Sequence, residues 1–171
     1  MPRRSLFSTA ERESLLELPK AEDERIRYYM FNEADLSFIN QHRGSANRLG
    51  LAVQLCYLRF PGIILNVDQR PFPPVLKLVA DQLGVAVDQW NKYGHREQTR
   101  REHLLELQGW LKLIPFGIAE YRQIVYQLAE LAQQTDRGIV LAEALIDMLR
   151  NQSIILPAID VIERVCSEAL M

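Results

Sequence analysis

Cysteine is scarce in this chain: Cys56 and Cys166 are the only two in 171 residues, and each sits inside an apolar helical pattern. Two distant thiols exclude a disulfide framework and a clustered thiolate metal site, and they read as buried apolar side chains. No run of about 18 apolar residues occurs, and Met1 to Arg12 lacks the apolar stretch of a secretory signal. Neither a membrane span nor export is expected, and the compartment expected is the cytoplasm. Catalytic signatures are missing as well. His42, His95 and His103 stand at no metal-ligand spacing, Ser37, Ser45 and Ser153 lack a nucleophile-elbow context, and there is no Gly-rich phosphate loop. Acidic pairs such as Asp23 with Glu24 fall on polar helix faces and read as solvated charge. The residues organise no reaction, and no cofactor or metal is expected.

What is present is an ordinary globular composition, 48% hydrophobic and 25% charged, which excludes disorder. The near-neutral net charge of −2 conceals an uneven distribution: residues 1–40 sum to −2, residues 41–112 to +4 and residues 113–171 to −4. A basic middle between acidic ends suits a polyanion bound through one region. Chance clustering is the alternative.

The periodicity predicts helices throughout. Ser8 or Thr9 caps a first helix running to Leu18, with Glu11 and Glu13 near the positive end of its dipole and Pro19 as its stop. Helices are expected next at Ala21–Tyr29 and at Glu33–Asn40, the latter capped by Asn32. Ser45 is expected to cap an almost wholly apolar helix that ends near Phe60, before Pro61 and Gly62. A helix apolar all round is buried, so only Asn47, Arg48, Gln54 and Arg59 on it are expected to meet a partner. Ile63–Val67 is a short extended piece, and Pro71, Pro73 and Pro74 mark the clearest boundary. Pro74 opens a helix to Leu83; a short helix at Ala86–Tyr93 and a longer one at Arg96–Leu113 complete the middle. Three further helices are expected near Ala119–Gln134, Ile139–Asn151 and Pro157–Leu170. The chain is thus expected to be all-α, with a first helical module at residues 1–70, a second at 71–115 and a helical segment at 116–171.

Two constellations point to nucleic acid. Ala80 and Gly84 have the spacing of a helix-turn-helix: a small residue lets the helices cross closely, and glycine accepts the positive φ of the turn. The second helix would then offer Asp88, Gln89, Asn91 and Lys92 to a major groove. An ordinary packed hairpin is the alternative. Next come His95, Arg96, Arg100, Arg101 and His103, a cationic stripe at helical spacing that can track a phosphate backbone. Its alternative is a solvated face neutralised by Glu97 and Glu102. A third cluster, Arg43, Asn47 and Arg48, places donors at a helix N-terminus. Arg3 and Arg4 form a short basic tail suited to a minor groove.

The segments Leu6–Leu18, Arg43-Gly44-Ser45-Ala46-Asn47-Arg48-Leu49-Gly50, Gln54-Leu55-Cys56-Tyr57-Leu58-Arg59-Phe60-Pro61-Gly62, Arg100-Arg101-Glu102-His103, Leu149-Arg150 and Ile154-Ile155-Leu156-Pro157-Ala158 together resemble the N-terminal region of Tn-three family (class II replicative) transposases. The resemblance covers nearly all of the chain. It implies two successive helical DNA-binding modules that grip the terminal inverted repeats of a transposon, with the catalytic acidic triad in a ribonuclease-H-like domain far downstream of this region. On that basis the expected partner is double-stranded DNA at transposon ends, and the protein is nucleoid-associated when bound. The expected contacts are Arg43, Asn47, Arg48, Gln89, Asn91, Lys92, Arg96, Arg100 and Arg101, with Asn47, Gln89 and Asn91 suited to adenine edges. The competing expectations are a helical oligomerisation or interaction module, in which Leu128, Leu131, Leu141, Leu145, Ile146 and Leu149 face another subunit, and a free-standing helix-turn-helix repressor.

Overall fold

The computed structural model describes residues 5–171, so the basic tail Arg3-Arg4 lies outside the described residues. These residues form nine α-helices and one 3-10 segment, with no strand beyond a single bridge between Ile114 and Ile154. The fold is all-α, and it divides into two compact units: Leu18–Leu111, and Lys112–Met171 together with the start of the chain through Glu17. The expected boundaries at residues 70 and 115 describe a different partition.

In the unit Leu18–Leu111 the centre is α4 (Ser45–Arg59), in which every residue from Leu49 to Leu58 is buried. Around it pack α2 (Glu22–Tyr29), α3 (Glu33–Asn40), α5 (Pro73–Leu83) and the 3-10 segment Val87–Lys92. Fully burying each large apolar side chain of α4 is worth about 1.5–3 kcal/mol, so this helix carries much of the unit's stability. Local signals behave as their chemistry requires at α3, where Asn32 accepts from the Asp35 amide at 2.8 Å and Asp35 answers at the Asn32 amide, a reciprocal cap. The start of α4 is different from the expected Ser45 cap. Gly44 holds the cap position at φ 88°, which favours glycine, and Ser45 is the first helical residue and makes no side-chain cap bond.

The turn after α5 forms as expected, with Gly84 at φ 68° and the Val85 amide donating back to Ala80. The element beyond the turn is not an α-helix. Val87–Lys92 is a six-residue 3-10 segment, in place of the second helix expected at Ala86–Tyr93. Valine, aspartate and asparagine are poor helix formers, and glycines at 84 and 94 bracket the piece, leaving too few residues to propagate α-helical bonds. Helix α6 (Glu97–Leu111) closes the unit.

The other unit is a bundle of α7 (Ile118–Ala132), α8 (Gly138–Asn151) and α9 (Ile159–Ala169) with α1 (Thr9–Ser14) added to it. Leu128, Leu141, Leu145, Ile146 and Leu149 are buried in its core and Leu131 is half-buried, so this apolar stripe is covered within the unit itself. Ser8 and Glu11 form the cap that starts α1. The segment before α1 is anchored by Glu163 of α9, which accepts from the Leu6 amide at 2.7 Å, Ser5 Oγ at 3.0 Å and Arg12 at 2.9 Å. Arg12 also pairs with Asp160. Gly138 permits the close approach, since a β-carbon there would sit 3.0 Å from the Leu6 carbonyl oxygen.

Candidate nucleic-acid interface

The turn between α3 and α4 is built by the residues singled out from the sequence. Arg48 donates from Nε to the His42 carbonyl at 2.6 Å and from a terminal nitrogen to the Asn40 carbonyl at 3.2 Å. It thereby satisfies oxygens that the end of α3 leaves open. The Asn47 amide donates to the Arg43 carbonyl at 3.2 Å. Both side chains therefore hold the turn, and the exposed member of the trio is Arg43. Gln54 and Arg59, the other two residues of α4 expected to meet a partner, are also engaged internally. Arg59 forks onto Asp35 at 2.6 and 2.8 Å, and Trp110 Nε1 adds a longer contact at 3.4 Å. Burial pushes the Asp35 carboxyl up, but the Arg59 and Asn32 hydrogen bonds outweigh it and hold the group below its usual range.

Gln54 is buried, and its amide pairs in both directions with the Leu65 backbone at 2.9 Å. The Asn66 and Gln69 backbones close a turn at 3.0 Å, Gln69 Oε1 accepts from the Asn66 amide at 2.8 Å, and the Tyr57 hydroxyl accepts from the Phe72 amide at 2.8 Å. Residues 65–72 are thus fixed at both ends and in the middle, although they carry no regular structure.

This held loop forms one wall of two hollows that share Gln54, Leu65, Asn66, Tyr93 and Arg100. The larger, about 250 Å³, runs along the start of α6 beside Glu97, Arg101 and His103. The smaller, about 190 Å³, adds Asp68, Gln69, Arg70, Trp90, Asn91 and His95. Arg100 lies in both. Its stem packs on Gly94, where a β-carbon would come within 2.7 Å of Arg100 Cδ, and its Nε is buried with no hydrogen-bond partner among the described residues.

The expected stripe is therefore divided. Arg96 and Arg101 are exposed, with Arg101 donating to Glu97 at 3.1 Å across one turn. Arg100 turns toward the hollows. His103 leaves the stripe altogether: it is buried, and its Nδ1 meets the Tyr93 hydroxyl at 2.8 Å. Burial, reinforced by the neighbouring His42, holds the His103 pKa below the ordinary histidine value. His42 contacts the Phe38 carbonyl at 3.2 Å and Glu106 at 2.5 Å, so the α3–α4 turn and the middle of α6 are joined. On the 3-10 segment Asn91 and Lys92 are exposed and Gln89 is half-buried. Among the described residues no cluster of His, Cys, Asp and Glu is placed to hold a metal ion.

A family model described as "Domain of unknown function (DUF4158)" matches residues 6–169. The chain belongs to that family. Across 99% of its length it is 64% identical to the transposase for transposon Tn21 of Escherichia coli and 52% identical to that for Tn501 of Pseudomonas aeruginosa. It is 36% identical over 97% of its length to the transposase for Tn1546 of Enterococcus faecium. The resemblance read from the residues thus extends over essentially the whole chain, which spans 17% of the length of each of these relatives. In this DUF4158 chain, sequence reasoning overlooked Asn66, Gln69 and Arg70. They lie beside the prolines that read as a boundary, and nothing local signals that Gln54 and Tyr57 pull that loop against Arg100. Among the described residues no helix is long and apolar enough to cross a membrane.

Proposed function

We propose that this DUF4158 chain binds transposon-end DNA as part of a replicative transposase, with the strand-cleaving and joining chemistry carried outside these residues. The observation that carries the reading is kinship with transposases across 99% of the chain. The exposed cations Arg43, Lys92, Arg96 and Arg101 supply salt-dependent anchoring to phosphates, and Arg100 does so from the hollow. Asn91 and Gln89 are placed for base edges, while Asn47 and Arg48 act through the turn that presents Arg43. Both segments 1–70 and 71–115 contribute in this reading, the first through Arg43 and the second through the 3-10 segment and α6. The absence of an α-helix at Ala86–Tyr93 removes a recognition helix from that position, so contact there is made by a short turn and the start of α6.

The test is binding of the chain to a labelled transposon-end duplex and to a scrambled duplex of equal length across a salt series. Preferential, salt-sensitive binding to the end duplex is expected. Replacing Arg96 and Arg101 by glutamine should weaken both duplexes and reduce the slope of log K against log salt by about 2. Equal weak binding to both duplexes would overturn sequence-specific recognition by this chain alone. A second reading, self-association, is favoured by an apolar groove of about 550 Å³ lined by Phe116, Ile118, Tyr121 and Val125, with Ile118 74% exposed. It predicts concentration-dependent dimers in sedimentation without DNA.

A further inference from the structure

The hollows around Arg100 have features that a generic basic surface does not require. A guanidinium is expensive to bury without acceptors, yet the Arg100 Nε is buried and unpartnered among the described residues. The smaller hollow that Arg100 lines is also lined by Arg70, His95, Asn91, Gln69 and Asp68. Its loop wall is fixed by Gln54 at Leu65 and by Tyr57 at Phe72, so the donors are presented by a held surface. A volume of about 190 Å³ admits a tetrahedral anion and its nearest waters, and excludes a helix or a strand.

From these observations we infer that the hollow bounded by Arg70, Asn91, His95 and Arg100 is a phosphate site, and that its occupant is a single backbone phosphate of the bound DNA. The identity of that source rests on the DNA-binding reading; the anion site does not. A tetrahedral dianion or phosphodiester supplies the acceptor that the Arg100 Nε lacks, Arg70 closes over it from the loop, and the amides of Asn91 and Gln69 and the imidazole of His95 add further donors. Asp68 opposes the anion and limits the affinity of the empty hollow for free phosphate. A single inserted phosphate fixes the register of the duplex on the protein, which dispersed surface cations do not.

Two measurements on the whole chain separate the site from its source. In the first, inorganic phosphate is titrated at constant ionic strength while the side-chain Nε–H resonance of Arg100 is monitored by NMR, with chloride as control. A saturable shift with phosphate and none with chloride is expected, weakened at least tenfold by Arg70→Gln and strengthened by Asp68→Asn. Arg70 and Asp68 are exposed, so neither variant threatens the fold. An Arg100 resonance that ignores phosphate, or responds equally to chloride, would overturn the site. In the second, transposon-end duplexes carrying one neutral methylphosphonate at each successive linkage are bound to the parent and to Arg70→Gln. One linkage is expected to cost the parent about tenfold and to cost the variant nothing further. A phosphate response with no such linkage would assign the hollow to free phosphate and overturn its DNA role. Failure of the parent to bind any duplex would instead strike the DNA-binding function itself.

Discussion

Asp35 shows how one side chain can belong to several structures at once. It completes the cap of α3, receives the Arg59 fork and touches Trp110, while almost wholly buried. Arg59→Leu leaves that carboxylate without its counter-ion and should destabilise the unit by about 2–3 kcal/mol in urea unfolding, partly restored by adding Asp35→Asn, since a neutral amide needs no cation. Because the carboxyl is held below its ordinary value of 3.8, its contribution is complete at neutral pH and is lost as pH falls below that value. His103 acts in the same direction at a higher pH. Its folded pKa is depressed from 6.5, so the unfolded chain takes up the proton first and stability declines as pH drops below 6.5. His103→Gln should flatten the decline in stability below pH 6.5, measured by thermal unfolding as the pH is lowered. Gly50 is a third case: a β-carbon there would lie 2.0 Å from the Tyr93 ring. Gly50→Ala should therefore cost about 1–3 kcal/mol despite alanine's better helix propensity, and should displace the ring that bonds His103.

At the scale of elements, the two units use side-chain clasps where regular structure is missing. Gln82 repeats the device of Gln54, accepting from the Phe31 amide at 2.8 Å and donating to the Tyr29 carbonyl at 3.0 Å, which ties α5 to the link between α2 and α3. A side-chain amide carries both donors and an acceptor, so it can satisfy a loop's N–H and C=O together as a neighbouring strand would. Glu163 does the corresponding task for the chain start. Burial raises its carboxyl pKa, but the Leu6, Ser5 and Arg12 hydrogen bonds prevail and lower it. Glu163→Ala should speed amide exchange across residues 6–15 by at least tenfold while leaving α7 and α8 protected, because α1 has six residues and cannot persist without this anchor.

For the whole molecule, the charge division bears on where the proposed DNA contact would lie. Residues 113–171 carry net −4, whereas Arg43, Arg70, Lys92, Arg96, Arg100 and Arg101 all belong to the unit Leu18–Leu111. Hydroxyl-radical footprinting of the DNA complex should protect residues 66–70 and 91–101 and leave Ile118 and Tyr126 as reactive as in the free chain. Protection concentrated on the acidic unit would overturn this placement.

Helix positions, the buried character of α4 and the cap at Asn32 were legible in residue order, because periodicity, capping and proline act over a few positions along the chain. Local chemistry also identified Arg100 and Asn91 as polar residues worth noticing. The pairing of Arg59 with Asp35, the retreat of His103 behind Tyr93, and the loop of Asn66, Gln69 and Arg70 set against Arg100 involve partners that the sequence does not bring together. Gln54 meets Leu65, 11 positions along the chain, and Asp35 meets Trp110, 75 positions along. Which polar side chains remain available to a ligand is decided by such contacts, since a donor satisfied inside the fold is no longer free outside it; only the packed structure specifies that allocation.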